Sequence, residues 1–341
     1  MGERPHYLTP SQTLQGEMLQ NLSTTSVADA LKYFSGVQIK DYGGLGGLKT
    51  VNVRSLGSQH VGVYLDGIRI TVADVTDAAR RAQEIHHLPS LSAVILGKVL
   101  NAAAILAMDF KNHEGVSLKW VTNSPLGTIH ADAYEGRYVR GFIENPDDGT
   151  IPYTPAEEAK WVSRRGKLFV TRYSLLKMPY VSAVDLADGD TASCVSDYIN
   201  SSDQTLSHVE IEALTDKEGK IIRMAGFIAQ LMPEGDKKLF GELFAKDRKW
   251  DLFDETGKET SLSTLLHKEN YVLLGSAPVS FRCTCGEDRI KHSLQGLPLV
   301  EQQGLLDDDH IEIECHYCGK KYEISRETLV KWFNEKGGNV Q

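Results

Sequence analysis

Four cysteines near the C-terminus stand in two tight pairs, Cys283-Thr284-Cys285 and Cys315-His316-Tyr317-Cys318, separated by about 29 residues. A C-x-C pair and a C-x-x-C pair at that separation suit one tetrahedral zinc site. Ligands this close in sequence reach one metal from a tight turn. Gly286 and Gly319 follow the pairs, where small residues are expected to let backbone N–H groups turn toward sulfur. Thiolate is the ligand form, and four thiolates around Zn²⁺ leave a doubly negative site. Arg282, Lys320 and Lys321 lie beside the pairs and are expected to soften that charge. Spacing alone leaves two uses open: a zinc ribbon that only holds a fold, or thiolates that an oxidant can reach. A nucleic-acid ribbon is disfavoured by the acidic run Asp307-Asp308-Asp309 between the pairs. Four sulfurs fill the shell, so His310 and His316 are expected to face solvent. Cys194 stands apart and reads as a small, partly buried residue.

The rest of the chain must position this module. Its 341 residues suffice for two domains plus smaller attachments. The net charge of −9 argues against a broad basic face for nucleic acid and against a polybasic membrane anchor. The longest apolar stretch, Val94 to Met108, is interrupted by Gly97, Lys98 and Asn101 and is too short and polar to span a membrane. The first residues lead into polar sequence without an apolar core, so a cytoplasmic setting is expected. There, paired cysteines more often mean metal binding or redox sensing than structural disulfides.

Periodicity points to an α+β fold. Ser26 to Phe34 reads as a short amphipathic helix, and Val51 to Arg54 and Val61 to Tyr64 as strands. Asp66-Gly67 between alternating runs predicts a hairpin. Asp74 to His87 has helical spacing and stops before Pro89, and a longer apolar helix starts at Ser90 or Ser92 and runs to about Phe110. Alternation at Ser117 to Val121, Gly127 to Ala131, Lys167 to Arg172, His208 to Ala213 and Arg223 to Leu231 predicts antiparallel strands. Glu234 to Asn270 differs: about 16 of its roughly 37 residues are charged, yet Leu239, Phe240, Leu243, Phe244, Trp250, Leu252 and Phe253 are apolar. It reads as short helices that need neighbours to fold.

Several apparent motifs fail. Gly43 to Thr50 (GGLGGLKT) lacks the glycine that must precede the lysine of a phosphate loop. His86 and His87 are adjacent, point to different helix faces, and read as exposed helix-end residues. No G-x-S-x-G or H-E-x-x-H occurs, so hydrolase chemistry has no anchor and no enzyme is expected.

From about Ile68 onward the assembled residues resemble the redox-regulated chaperone family of heat-shock protein 33. The resemblance rests on Leu96 to Ala104 (LGKVLNAAA), Val139 to Phe142 (VRGF), Tyr198 to Gln204 (YINSSDQ, with Asp203 where the family usually has Glu), Ala225 to Pro233 (AGFIAQLMP) and the two cysteine pairs. It implies a chaperone core at 68–233, a metastable helical linker at 234–281 and a zinc-binding redox switch at 282–341. It further implies an ATP-independent holdase. In the reduced state Cys283, Cys285, Cys315 and Cys318 hold one Zn²⁺ and the protein is inactive. Oxidation pairs Cys283 with Cys285 and Cys315 with Cys318, zinc is lost, and the module and linker unfold. The exposed surface takes up unfolding client proteins, and the oxidised form is a homodimer.

Residues 1–67 do not share this resemblance. Leu22 to Leu31, Val51 to Ser58 (VNVRSLGS) and Val63 to Gly67 (VYLDG) are similar to the plug domain of TonB-dependent receptors. Such a receptor needs a large barrel of alternating strands, and the sequence holds none, so transport is not expected. The chain reads as a fusion joined near Asp66–Thr71. Its plug-like strand at Val61–Asp66 is expected to pair into the chaperone sheet.

Overall fold

A computed structural model describes residues 37–41, 49–53 and 59–65 of the first 66. From 67 onward it describes all but 109, 111–113, 163–165, 175–176, 187–188, 234, 246–249, 259–271 and 336–341. The helix expected at 26–34 lies outside the described residues. The chain divides into two compact units, Met1–Phe281 and Arg282–Gln341.

The first unit begins with an antiparallel pair, β1 (Val37–Asp41) and β2 (Lys49–Val53). β3 (Gln59–Leu65) and β4 (Ile68–Asp74) form a hairpin in which Leu65 faces Ile68 across a two-residue turn. Gly67 in that turn has φ of 77°, a conformation glycine adopts without a Cβ clash. Two helices follow, α1 (Thr76–His86) and α2 (Ser90–Leu106). Asp74 does not join α1 as its sequence spacing suggested. It closes β4, its carboxylate accepts the Thr76 N–H at 2.9 Å, and it pairs with Arg223 at 3.0 Å. His86 is also not simply exposed, because its Nε2 lies 3.1 Å from the Gly141 carbonyl.

Next come β5 (Gly115–Val121), β6 (Thr128–Tyr134), β7 (Tyr138–Ile143), α3 (Pro155–Val162), β8 (Lys167–Ser174), β9 (Lys177–Asp185) and α4 (Thr191–Tyr198). β10 (Ser207–Thr215) and β11 (Ile221–Leu231) complete the core sequence. The stretch expected to be helical after Pro233 is helical, among the described residues, at α5 (Lys237–Leu243). It then yields two strands, β12 (Val272–Pro278) and β13 (Ser280–Phe281). The strands assemble as a five-stranded antiparallel sheet, β10-β11-β4-β3-β12, and a six-stranded sheet, β13-β7-β6-β5-β8-β9. The plug-like β3 therefore sits inside the five-stranded sheet, paired to β4 on one side and β12 on the other.

Helix α2 explains why two sheets are needed. It is apolar on all sides, and residues from Leu91 to Ile105 are buried in an unbroken run. A helix without a polar face has to be covered all round. Strands β6 and β7 of one sheet and β10 and β11 of the other do this. Gly97 lets the sheet come close: a Cβ there would meet the Met224 Cε at 2.5 Å. The two polar residues of this run that interrupted the apolar stretch each find a partner for the donor group, while the buried Asn101 Oδ1 is left without a hydrogen bond. Asn101 Nδ2 donates to the Ala73 carbonyl at 2.8 Å, and Lys98 Nζ lies 2.7 Å from Glu158 Oε2. Glu158 also accepts the Tyr153 hydroxyl and the Thr191 N–H, each at 3.1 Å, tying α3 and the start of α4 to α2. Burial alone would lower the Lys98 pKa, but the Glu158 carboxylate outweighs it and raises it.

Period-two alternation gives the five-stranded sheet two apolar faces. Ala73, Val209, Ile211, Met224 and Ile228 join the core around α2. Ile68, Ile70, Ala225, Phe227 and Ala229 point the other way. That second face is covered by the residues after β11: Phe240, Phe244, Trp250, Leu252 and Phe253 are buried on it, with Leu239 and Leu243 beside them. Phe227 meets Trp250 edge-on at 5.6 Å, and Phe244 stacks on Trp250 at 5.6 Å and on His208 at 5.4 Å. Asp236 caps α5 by accepting the Lys238 and Leu239 N–H groups. Glu212 on β10 accepts the Leu252 N–H at 2.6 Å.

Two outcomes follow from these contacts. Replacing Glu158 with Ala leaves the Lys98 ammonium buried and unpaired, which destabilises the first unit by roughly 3–5 kcal/mol. A melting temperature equal to that of the parent would contradict this. The Glu212 carboxyl is pushed up by burial, with Asp251 and Glu210 adding to the shift. A raised carboxyl binds protons more tightly in the docked state, so docking of the 237–253 cover gains as pH falls through the raised value and loses as pH rises. Glu212→Gln keeps an acceptor for Leu252 without the charge. It should slow hydrogen exchange at the Phe240 and Leu252 amides at neutral pH and flatten the pH dependence of that exchange.

Candidate metal centre

The C-terminal unit is built from short elements: α6 (Glu287–Gln295), α7 (Leu299–Gly304), the hairpin β14 (His310–Glu314) and β15 (Lys321–Ser325), and α8 (Arg326–Asn334). Its apolar core is small: Tyr322, Ile324, Leu329 and Trp332 are buried, with Ile290, Leu294 and Leu305 packed at the edge. Tyr322 and Ile324 alternate with exposed residues along β15, and Ser325 caps α8 by accepting the Thr328 N–H. A core of this size gives little stability on its own.

The first cysteine pair lies on the approach to α6, and the second forms the turn between β14 and β15. In that turn the Cys318 and Gly319 N–H groups donate to the Cys315 carbonyl at 3.2 and 2.8 Å, and the Cys315 N–H donates to the Lys320 carbonyl at 3.0 Å. Gly319 has φ of 65°, so glycine is needed there. Gly286 is different. Its φ of −178° is ordinary extended backbone, and a Cβ would meet nothing within 4 Å. The expectation that both glycines shape the site therefore holds at Gly319 alone.

All four sulfurs lie within 4.8 Å of one another. Cys283 Sγ is 3.7 Å from Cys315 Sγ, and Cys285 Sγ is 3.4 Å from Cys318 Sγ. A disulfide requires about 2.05 Å, so the thiols are separate. Four sulfurs at Zn–S distances of about 2.3 Å around a tetrahedral ion stand about 3.8 Å apart. The donor set and its spacing thus fit a metal ion. Cys194 is buried in the core of the first unit and takes no part. His310 and His316 are exposed, as expected, and His310 faces Glu323 at 3.8 Å.

The sulfurs are not equivalent. Burial would push the Cys285 thiol up, but hydrogen bonds from Tyr322 and from the neighbouring cysteines outweigh it and hold it at about 7. Burial pushes Cys315 and Cys318 up. Tyr322 is the residue that sequence reasoning missed: its hydroxyl donates to Cys285 Sγ at 3.1 Å. It lies four places beyond Cys318 on a strand, outside any ligand-spacing rule. Its ring also carries Lys320, whose Nζ is 4.7 Å from the centroid, while Lys321 pairs with Glu314 at 3.8 Å.

The sequence profile of the Hsp33 protein family matches residues 60–325 of the 341. The chain belongs to the Hsp33 family. Among curated relatives, the 33 kDa chaperonin of Streptococcus equi subsp. zooepidemicus is 30% identical over 277 residues, covering 79% of this chain and 95% of the relative. The 33 kDa chaperonin of Acetivibrio thermocellus is 28% identical over 276 residues, 77% of this chain and 92% of the relative. The crystal structure of the Thermotoga maritima 33 kDa chaperonin superposes with a TM-score of 0.64 at 22% identity, covering 82% of this chain and 98% of that one. The fold is therefore the Hsp33 fold, and the protein is a chaperone. A second profile, the TonB-dependent receptor plug domain, matches residues 7–92 and overlaps the Hsp33 match from 60. The fusion read from the sequence is thus seen from both sides. Among the described residues no helix is long and apolar enough to cross a membrane.

In an Hsp33 protein with so small a C-terminal core, the cysteine cluster is expected to hold the unit together through its metal. Cys318→Ser removes one of the four candidate ligands and should abolish stoichiometric zinc retention after dialysis. Hydrogen exchange at the Tyr322 and Leu329 amides should become rapid while that at Val94 and Leu100 is unchanged. Slow exchange at Leu329 in the metal-free variant would contradict this.

Proposed function

We propose that this chain is a redox-switched, ATP-independent holdase that rests in a reduced, zinc-bound form. The observation that carries the reading is the aromatic cover on the five-stranded sheet. Phe240, Phe244, Trp250, Leu252 and Phe253 hide the face bearing Ile68, Ile70 and Phe227, yet they come from a charge-rich stretch whose described residues form one short helix, Lys237–Leu243. A charge-rich cover of this kind, held by side-chain packing on a sheet face, belongs to the low-stability end of a fold. Its release would uncover a broad apolar face of the kind that takes up unfolded chains.

The four cysteines supply the trigger in this reading. Zn²⁺, when bound, neutralises part of the thiolate charge and crosslinks the two turns. An oxidant such as peroxide converts two thiolates to a disulfide and is reduced to hydroxide, one equivalent per disulfide. Cys283 then pairs with Cys285 and Cys315 with Cys318, and none of the four remains a thiolate ligand. This pairing rests on the family resemblance and not on proximity: the close contacts at 3.7 and 3.4 Å run between the two pairs, Cys283 to Cys315 and Cys285 to Cys318, with all four sulfurs within 4.8 Å of one another. The C-terminal unit, held by its metal, unfolds and frees the chain beyond β13, and the marginal cover in 234–281 follows. Clients are unfolding proteins, the activated form is a homodimer, and the setting is the reducing cytoplasm.

Peroxide with mild heating is the direct test. The expected result is release of one zinc per chain, loss of four reactive thiols, and the onset of aggregation suppression for a heat-denatured client, reversed by dithiothreitol. Equal suppression by the reduced protein, or thiols that resist peroxide while the unit stays folded, would instead identify a purely structural zinc ribbon.

A further inference from the structure

Tyr322 occupies a position that the switch reading does not use. Its ring is a buried member of the C-terminal core, packed with Ile324, Leu329 and Trp332, so the side chain is fixed. Its hydroxyl donates to Cys285 Sγ at 3.1 Å, within range for a bond to sulfur. Lys320 lies over the ring, its Nζ 4.7 Å from the centroid. A phenol held in this way is a donor aimed at one of four candidate ligands. A hydrogen bond to a ligand atom fixes its orientation, and one to a thiolate stabilises the charged form.

We propose that Tyr322 is a positioning residue that sets the oxidation threshold of the cysteine cluster, by donating its hydroxyl proton to the Cys285 sulfur. This rests on the zinc-holding, oxidant-sensing reading above. In the first oxidation step a sulfur lone pair attacks a peroxide oxygen, the O–O bond breaks, hydroxide leaves, and the sulfur becomes a sulfenic acid. A second thiolate then attacks that sulfur, an S–S bond forms, and hydroxide is expelled. The lone pair needed for attack is the one that the Tyr322 proton engages. Cys285 is thereby held back as a nucleophile and held in place as a ligand. The phenol restrains the switch without closing it, because the bond opens once the segment holding Cys285 loosens.

Tyr322→Phe keeps the ring in the core and removes the donor. In the full-length zinc-loaded chain, zinc release by peroxide should be roughly 10-fold faster than in the parent, and zinc affinity in a chelator competition about 10–100-fold weaker. A Co²⁺-loaded sample gives a signature that core packing does not move: loss of the hydrogen bond raises the sulfur lone-pair energy and shifts the sulfur-to-cobalt charge-transfer band to longer wavelength. Hydrogen exchange at Ile324 and Leu329 in the zinc-loaded variant should match the parent. An unmoved cobalt band with parental release kinetics overturns the proposal. So does faster release accompanied by faster exchange across the whole unit, which would mark Tyr322 as a packing residue. If the parent itself loses no zinc to peroxide, the switch reading fails and the threshold role falls with it. The cobalt band then still reports whether the hydrogen bond exists.

Discussion

The all-apolar circumference of helix α2 is the constraint from which the first unit follows. A helix buried from Leu91 to Ile105 leaves no side for water. It must be packed by sheet on more than one side, and the two sheets of this unit meet that demand. The one charge in the run, Lys98, is tolerable because Glu158 is brought to it from α3 and is itself held by Tyr153 and the Thr191 N–H. A buried pair of this kind adds little net stability over an apolar substitute, but it fixes where α3 and α4 dock. Stability and geometry therefore come from different residues: the apolar surround supplies the first, the Lys98–Glu158 network the second.

The C-terminal unit is organised on the opposite plan. Four sulfurs share a space under 4.8 Å across, beside a core of four buried side chains. Thiolates at that spacing repel one another unless a cation lies among them. A core as deep as that around α2 would fold whatever the state of its cysteines. So thin a core contributes little by itself, and the state of the four sulfurs weighs heavily on its folding. The aromatic cover on the five-stranded sheet has an intermediate character. It has large rings and good stacking, but it is anchored by single contacts such as Asp236 on α5 and Glu212 on Leu252.

Much of this was legible in the sequence, and the reasons are physical. The cysteine cluster could be read because ligand spacing is local. The strands could be read because alternation is local, as in β11, where Ala225, Phe227 and Ala229 face the cover while Met224 and Ile228 face α2. What escaped depends on partners distant in sequence. Asp74 looked like the start of a helix, but Arg223 and the Thr76 N–H hold it at the end of a strand. Lys98 looked like a mere interruption because Glu158 lies 60 residues away. Tyr322 looked like an ordinary strand residue, since nothing in β15 announces that Cys285 lies above its hydroxyl. β12 carried no clear period and owes its form to β3, more than two hundred residues earlier in the chain.

That pairing also explains how a plug-like segment can serve in a chaperone sheet. Strand pairing is made by main-chain groups, so a borrowed strand needs only the right length, direction and register. Direction and register are set by the β3–β4 turn. A Cβ on Gly67 would come within 2.3 Å of the Gly235 Cα, and the Met232 N–H donates to the Gly67 carbonyl at 2.8 Å. The turn is thus pinned against the chain leaving β11, and a slip by one residue would break this contact while reversing the faces of the strand. The overlap of the two family matches at 60–92 falls on this hairpin and on the helix that follows it. A junction there preserves the turn. It leaves β12, the strand nearest in sequence to the cysteine unit apart from β13, dependent on an N-terminal strand of plug-like sequence. The plug-like strand and the strand that precedes the cysteine pairs in sequence therefore lie side by side in one sheet.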